Sequence, residues 1–136
     1  MTHLLDSSAF LAYFLGEPEG EHVRSLLVDE NNSIAISVLS ALELWARLKA
    51  LNRDVSFEQE WELHSPLFDA ILEVDWSIIE RAIVIRRVTP QRLPTIDSLI
   101  AATASVHSLT LVHCDPHFRP VPLELLRQLD LEAQAP

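Results

Sequence analysis

The stretch from Pro94 to Ser108 constrains the fold more than any other part of the chain. Pro94 stops the preceding segment, Thr95 is a suitable N-cap, and the isoleucine, leucine and alanine residues that follow have small polar residues scattered among them. A helix that is apolar on most of its sides must be covered by neighbouring elements. The stretch therefore predicts a buried helix inside a layered fold, with Asp97 in its first turn.

Short apolar segments alternate with helical patterns along the rest of the chain. We expect strands over residues 2–6, 33–38, 70–75 and 109–113, and residues 123–131 could carry a short helix and a last strand. Helical patterns cover residues 9–15, 19–29, 39–51, 52–68 and 76–89, the first of them capped by Ser7 and Ser8. Strands separated by helices predict an α/β domain with a parallel sheet.

Four acidic residues lie where these elements begin or end. Asp6 and Asp115 follow expected strands, Glu43 lies in the first turns of the helix after the second strand, and Asp97 opens a helix that leads into a strand. Right-handed crossovers place the ends of parallel strands at one rim of the sheet, where ligands bind in such folds. Asp6, Glu43 and Asp115 are therefore expected at this rim, and Asp97 joins them if its helix begins there, so that four carboxylates converge.

Each acid also has an ordinary structural interpretation. Asp97 could interact with the helix dipole, Asp6 could be a helix-start residue, Glu43 could pair with Arg47, and Asp115 could belong to an Asp-Pro turn. Four converging carboxylates would repel one another, however, and a hard divalent cation such as Mg²⁺ or Mn²⁺ relieves that repulsion. Such ions can activate water for phosphodiester cleavage, so the joint pattern favours a metal site.

Length and composition indicate one domain over residues 1–136, with an uninformative tail at about 132–136. The single cysteine, Cys114, excludes an internal disulfide and fits a reducing compartment. No signal peptide or membrane-spanning pattern is found, which predicts a cytoplasmic protein.

The formal net charge of −10 is unusual for a protein that binds nucleic acid. Either the substrate is not a polyanion, or the acids are partly concentrated at a metal site and local arginines meet the polyanion. Arg86, Arg87 and Arg92 form the densest basic run, just before the Asp97 helix. They could be a solvated helix end favoured by the dipole, and we hypothesise instead that one or more of them steer phosphate.

Four blocks of sequence together resemble the PIN-domain pattern in order and approximate spacing. They are LLDSSA at residues 4–9, SALEL at 40–44, PTIDSLIAATA at 94–104 and LVHCDPHF at 111–118. Length and composition are similar to those of the VapC toxins of bacterial toxin–antitoxin pairs. The resemblance runs from about residue 2 to Phe118.

This resemblance implies a three-layer α/β/α sandwich with a central parallel sheet of four to five strands. It also implies a Mg²⁺- or Mn²⁺-dependent endoribonuclease that forms a homodimer and is inhibited by a small cognate antitoxin, which inserts a segment into the active site. By position, Asp6 and Asp97 would be the principal metal ligands, and Glu43 and Asp115 would complete the catalytic cluster. Ser7 matches a hydroxyl position that is common after the first acid.

The chain departs from the family pattern at His113. The family usually has threonine or serine two residues before the fourth acid. His113, Cys114 and His117 could suggest a transition-metal site, but nothing elsewhere supplies the second ligand pair of a structural zinc. His117 is better explained as a surface residue beside the substrate than as a zinc ligand.

Two other classes of function remain as alternatives. A Mg²⁺-dependent phosphoryl-transfer or receiver-type domain also places aspartates at strand ends. Such domains need an acid pair at the first strand or a late lysine, whereas the only lysine here is Lys49. A non-catalytic PIN-like module that only binds partners would keep the fold, and the presence of all four acids argues against this loss of activity.

Overall fold

A five-stranded sheet, parallel throughout, forms the centre of the molecule. The computed structural model describes residues 1–133, so residues 134–136 of the C-terminal tail lie outside the described part. The strands are His3–Leu5 (β1), Ile34–Ser37 (β2), Ala70–Leu72 (β3), Thr110–His113 (β4) and Gln128–Asp130 (β5). They lie in the order β3-β2-β1-β4-β5, and each neighbouring pair is parallel. The predicted parallel sheet of four to five strands is confirmed.

Helices cover both faces of this sheet. They are Ser7–Phe14 (α1), Glu19–Val28 (α2), Leu39–Ala50 (α3), Phe57–His64 (α4), Trp76–Val88 (α5) and Thr95–Val106 (α6). The segment predicted as one arm over residues 52–68 is divided, because a 3₁₀ turn precedes α4 and another, Ser65–Leu67, follows it at Pro66. Within residues 1–133, no helix is long and apolar enough to cross a membrane.

Alternate residues of the central strand pack on opposite faces. Leu4 belongs to the core beneath α5 and α6, whereas Leu5 belongs to the core that includes Phe10 of α1 and Leu44 of α3. Parallel sheets are characteristically covered in this way on both faces. The expected three-layer α/β/α sandwich is therefore confirmed.

Helix α6 is buried, as its composition predicts. Ile100, Ala101 and Ala102 are fully inaccessible to solvent. The helix starts one residue earlier than expected, because Pro94 occupies the N-cap in an extended conformation and Thr95 is the first helical residue. The hydroxyl of Thr95 instead accepts a hydrogen bond from Nη1 of Arg86 at 3.2 Å.

The capping residues of two other helices also differ from expectation. Asp6, and not Ser7 or Ser8, is the N-cap of α1, because β1 already ends at Leu5. Asp75, expected at the end of the third strand, is the N-cap of α5. Residues 123–131 contain β5 but no helix, since the chain only turns at residues 123–125.

Candidate metal centre

The carboxyl ends of the central strands meet at one rim of the sheet. Leu5 of β1 is level with Ile36 of β2 and Val112 of β4. The backbone N–H of Asp6 donates to the carbonyl of Val112 at 2.9 Å, so this residue extends the ladder by one step. Because β1 is the middle strand of five, Asp6 lies at the centre of the rim.

The Asp6 carboxylate is only 2% exposed, and one of its oxygens has no partner. Oδ2 accepts hydrogen bonds from the backbone N–H of Ser8 at 3.0 Å and from its hydroxyl at 2.5 Å. Oδ1 is buried without any hydrogen-bond donor from residues 1–133. A buried, unpaired carboxylate oxygen is strongly unfavourable unless a cation or a proton compensates it. Burial, together with the smaller effects of the Asp97 and Glu43 charges, raises the pKa of Asp6 to about 7, although the hydrogen bonds from Ser8 oppose this shift.

Glu43 accepts a hydrogen bond from Ser7, which in turn contacts a serine of another helix. The Ser7 hydroxyl of α1 donates to Oε1 of Glu43 at 2.9 Å and lies 2.8 Å from the hydroxyl of Ser40. Ser7 and Ser40 are both buried, which ties the start of α1 to the first turn of α3. Burial raises the pKa of Glu43, and the negative charge of Asp115 raises it further.

Asp97 and Asp115 meet at a histidine on the exposed side of the cluster. Nδ1 of His117 lies 2.7 Å from Oδ1 of Asp115 and 3.8 Å from Oδ2 of Asp97. One ligand atom from each of the three residues lies within 4.8 Å of the others. Burial, together with the charges of Asp115 and Glu43, raises the pKa of Asp97 to about 6, and His117 opposes this shift. His117, which is predicted from the sequence to lie beside the substrate, thus lies against two of the predicted metal ligands.

The structure brings all four predicted acids into one electrostatic cluster. Asp97 and Glu43 act on the pKa of Asp6, and Asp115 acts on those of Glu43 and Asp97. Within residues 1–133, no arginine or lysine forms an ion pair with any of the four. The cluster is therefore negative and lacks a strong internal counter-charge. Whether the four residues act as metal ligands remains a prediction.

The donor set suits a hard divalent cation. Carboxylate oxygens dominate it, and His117 adds one imidazole nitrogen at its edge. The alternative zinc set fails, because both ring nitrogens of His113 are engaged in hydrogen bonds. Burial also raises the pKa of the Cys114 thiol to about 12, which disfavours the thiolate that zinc requires.

The three predicted substrate arginines lie on and after the end of α5. Arg86 contacts the opening of α6 through Thr95, two residues before Asp97. Arg87 and Arg92 are exposed to solvent. The structure thus connects one of the three to the helix that carries an acid of the cluster.

Sequence reasoning did not assign Ser8 or Ser40 to the site. An aspartate followed two residues later by serine is a recurrent turn pattern, so the Asp6 and Ser8 contact had a local signal. Ser40 lies three residues before Glu43, which places the two side chains on one face of a helix. The contact between Ser7 and Ser40, by contrast, joins residues that are distant in the chain.

Comparisons with solved structures show the same fold in other proteins. A toxin–antitoxin complex from Klebsiella pneumoniae matches with a TM-score of 0.68 and 24% identity, over 89% of this chain and 93% of that one. VapBC2 from Rickettsia felis bound to a promoter DNA fragment gives a TM-score of 0.75 and 18% identity, over 96% and 98% of the two chains. FitAcB from Neisseria gonorrhoeae gives 0.74 and 21%, over 96% and 99%.

A comparison with curated protein sequences returns no match. The sequence pattern that defines the PIN domain matches residues 3–123. This range includes four of the five strands and all four acids, and it extends over most of the chain. The fold, the acidic rim and this match lead to one conclusion: the chain belongs to the PIN domain family.

Proposed function

We propose that this chain is a Mg²⁺- or Mn²⁺-dependent endoribonuclease that acts as the toxin of a toxin–antitoxin pair. The observation that carries the proposal is the buried Oδ1 of Asp6, which has no partner within an already negative cluster. A site of this kind is unfavourable in an isolated protein and becomes favourable when a divalent cation binds. Membership of a family that consists generally of nucleases supports the same proposal.

In this proposal, Asp6 and Asp97 are the principal metal ligands, and Glu43 and Asp115 complete the cluster. Ser8 holds Oδ2 of Asp6 with two hydrogen bonds and leaves Oδ1 free for a cation. A bound divalent ion would stabilise negative charge on the phosphate and lower the pKa of a water molecule. The protein contributes a preset arrangement of carboxylates, so few side chains need to reorganise when substrate arrives.

The two alternatives receive less support. Membership of the PIN family argues against a receiver-type domain. The only lysine, Lys49, is an exposed residue of α3 and does not supply the late lysine that such a domain needs. A non-catalytic module would have no need for an unpaired buried carboxylate at the centre of the rim. Metal titration distinguishes this alternative, because only a metal site gains stability from Mg²⁺ or Mn²⁺.

The proposal is tested with purified protein freed of any bound partner. We expect cleavage of cellular RNA in the presence of Mg²⁺ or Mn²⁺, loss of cleavage on addition of EDTA, and recovery when excess metal is returned. Cleavage products resolved on denaturing gels provide the measurement. An absence of cleavage with both ions would refute the nuclease assignment.

A second arm of this assay tests the three arginines. Replacing Arg86, Arg87 and Arg92 together by alanine should slow cleavage and weaken its dependence on salt, because fewer phosphate contacts release fewer counterions. Arg24→Ala, at an exposed residue of α2, is the matched control and should behave like the wild type. Unchanged cleavage and unchanged salt dependence in the triple variant would remove these residues from the substrate path.

The toxin role requires a small protein inhibitor, the cognate antitoxin. We further propose that the nuclease is a homodimer. Support for the toxin role comes from the similar structure from Klebsiella pneumoniae, which is a toxin–antitoxin complex. Expression of the chain alone should arrest growth, and co-expression of the product of a neighbouring small open reading frame should relieve the arrest. Growth that continues despite accumulation of folded protein would contradict the toxin role, and sedimentation analysis would measure the oligomeric state.

A further inference from the structure

We infer that His113 is a positioning residue for the Asp115 metal ligand, and that Gln128 fixes its tautomer. This inference rests on the proposed function, since it assumes that Asp115 belongs to a metal site. It concerns the one place where the chain departs from the family pattern of threonine or serine. Three hydrogen bonds link β4, the Asp115 loop and β5.

The first hydrogen bond shows which nitrogen of His113 carries the proton. The His113 side chain is fully buried, and its Nδ1 lies 3.1 Å from the backbone N of Asp115. A backbone N–H can only donate, so Nδ1 must be the acceptor and cannot carry a proton. In a neutral imidazole the proton then lies on Nε2, which donates to Oε1 of Gln128 at 2.8 Å.

The side chain of Gln128 is oriented by its hydrogen bonds to His113 and to the carbonyl of Phe118. Nε2 of Gln128 donates to the carbonyl of Phe118 at 2.8 Å, so its Oε1 faces the histidine. The Phe118 ring packs against the imidazole, with ring centroids 4.9 Å apart. The segment from Asp115 to Phe118 is thus held at its first N–H by His113 and at its last carbonyl by Gln128.

A histidine at this place does more than the expected hydroxyl. Threonine or serine could accept the N–H two residues later, as in an ordinary side-chain turn. A hydroxyl, however, has only one polar atom, whereas the second ring nitrogen of His113 also binds Gln128 of β5. His113 therefore connects the backbone of Asp115 to the edge strand and restrains the carboxylate that follows. Partners that orient a ligand in this way commonly affect metal affinity by about 10- to 100-fold.

A pair of amide substitutions separates this role from simple packing. His113→Asn keeps an acceptor near Nδ1, because asparagine makes the same turn to the second following N–H. His113→Gln extends its amide toward the place of Nε2 and leaves the partly buried N–H of Asp115 without its present partner. We expect His113→Gln to weaken Mn²⁺ binding by about 10- to 100-fold, and His113→Asn to weaken it much less. Asparagine is smaller than glutamine and leaves the larger cavity in place of the imidazole. If only lost packing mattered, His113→Asn would therefore weaken Mn²⁺ binding more than His113→Gln.

The measurements are Mn²⁺ titration calorimetry of the folded variants, ¹⁵N spectra of the His113 ring, and hydrogen exchange at the Asp115 amide. In the wild type we expect a pyridine-type Nδ1 and a slowly exchanging Asp115 amide. If His113→Gln does not fold, Gln128→Met serves instead, and its Asp115 amide should exchange faster. A protonated Nδ1, or equal Mn²⁺ affinity in wild type and His113→Gln, would overturn the inference. Wild-type protein that binds no metal would refute the proposed function, whereas the ring spectrum and amide exchange would still decide the tautomer.

Discussion

Asp6→Asn is expected to lower RNA cleavage by at least about a thousandfold, because several kcal/mol of metal-derived stabilisation would be lost. Asparagine keeps an oxygen that can accept the two hydrogen bonds from Ser8. It removes the negative charge and places a neutral amide where the free Oδ1 lies. The variant should therefore fold normally and fail to bind metal. Cleavage rates and Mn²⁺-induced shifts in Tm measure the two effects.

The same substitution should stabilise the protein in the absence of metal at pH 8. Above a pKa of about 7 the wild-type carboxylate is charged, buried and close to Asp97 and Glu43. A neutral side chain removes the cost of burying that charge and the repulsion from the two neighbours. Loss of activity together with a gain in stability is the signature of a metal ligand, since a purely structural residue would lose both.

Asp29→Asn is the matched control for this variant. Asp29 is exposed after the end of α2, and its Oδ1 accepts the backbone N–H of Asn31 at 2.9 Å, a turn that asparagine also makes. We expect it to change neither cleavage nor metal-induced stabilisation. If Asp6→Asn retained the wild-type Mn²⁺ effect, the assignment of Asp6 as a ligand would be wrong.

The stability of the metal-free protein should fall as the pH rises from about 4 to 7. The pKa of Asp6 is raised from 3.8 in the reference state to about 7 in the folded protein, so the folded state binds more protons over this interval. Stability then decreases with pH by linkage, on the order of 4 kcal/mol for Asp6. Asp97, with a pKa raised to about 6, contributes in the same direction. Its partial exposure makes that contribution smaller.

Urea unfolding at several pH values, with and without Mn²⁺, measures this effect. His113 has a lowered pKa because of burial and shifts stability in the opposite direction, so the informative quantity is the difference between wild type and Asp6→Asn. That difference should grow from pH 4 to 7 and then level off. Added Mn²⁺ should stabilise the wild type increasingly over the same interval, because metal binding needs ionised carboxylates. A difference that stays constant with pH would contradict the raised pKa of Asp6.

The fold and the four acids could be predicted from local patterns. Alternating apolar segments and helical periodicities indicate a parallel sheet, and in such a sheet the residues that follow the strands share one rim. Asp6 and Asp115 each follow a predicted strand, and the observed registers bring the ends of these strands level. The errors at the start of α1 and α6 concern single capping residues, where strand ends and proline geometry compete with side-chain preference.

The amino-acid sequence by itself determined the layered fold and the placement of Asp6, Glu43 and Asp115 at one rim. Periodicity and chain connectivity are enough for both. Only the tertiary structure decided that Oδ1 of Asp6 is the oxygen without a partner, that Ser7 reaches Glu43, and that Gln128 meets His113. These contacts join residues from different elements, and hydrogen bonds are satisfied only within a few tenths of an ångström. Strand register and helix packing set such distances, and no local pattern in the chain encodes them.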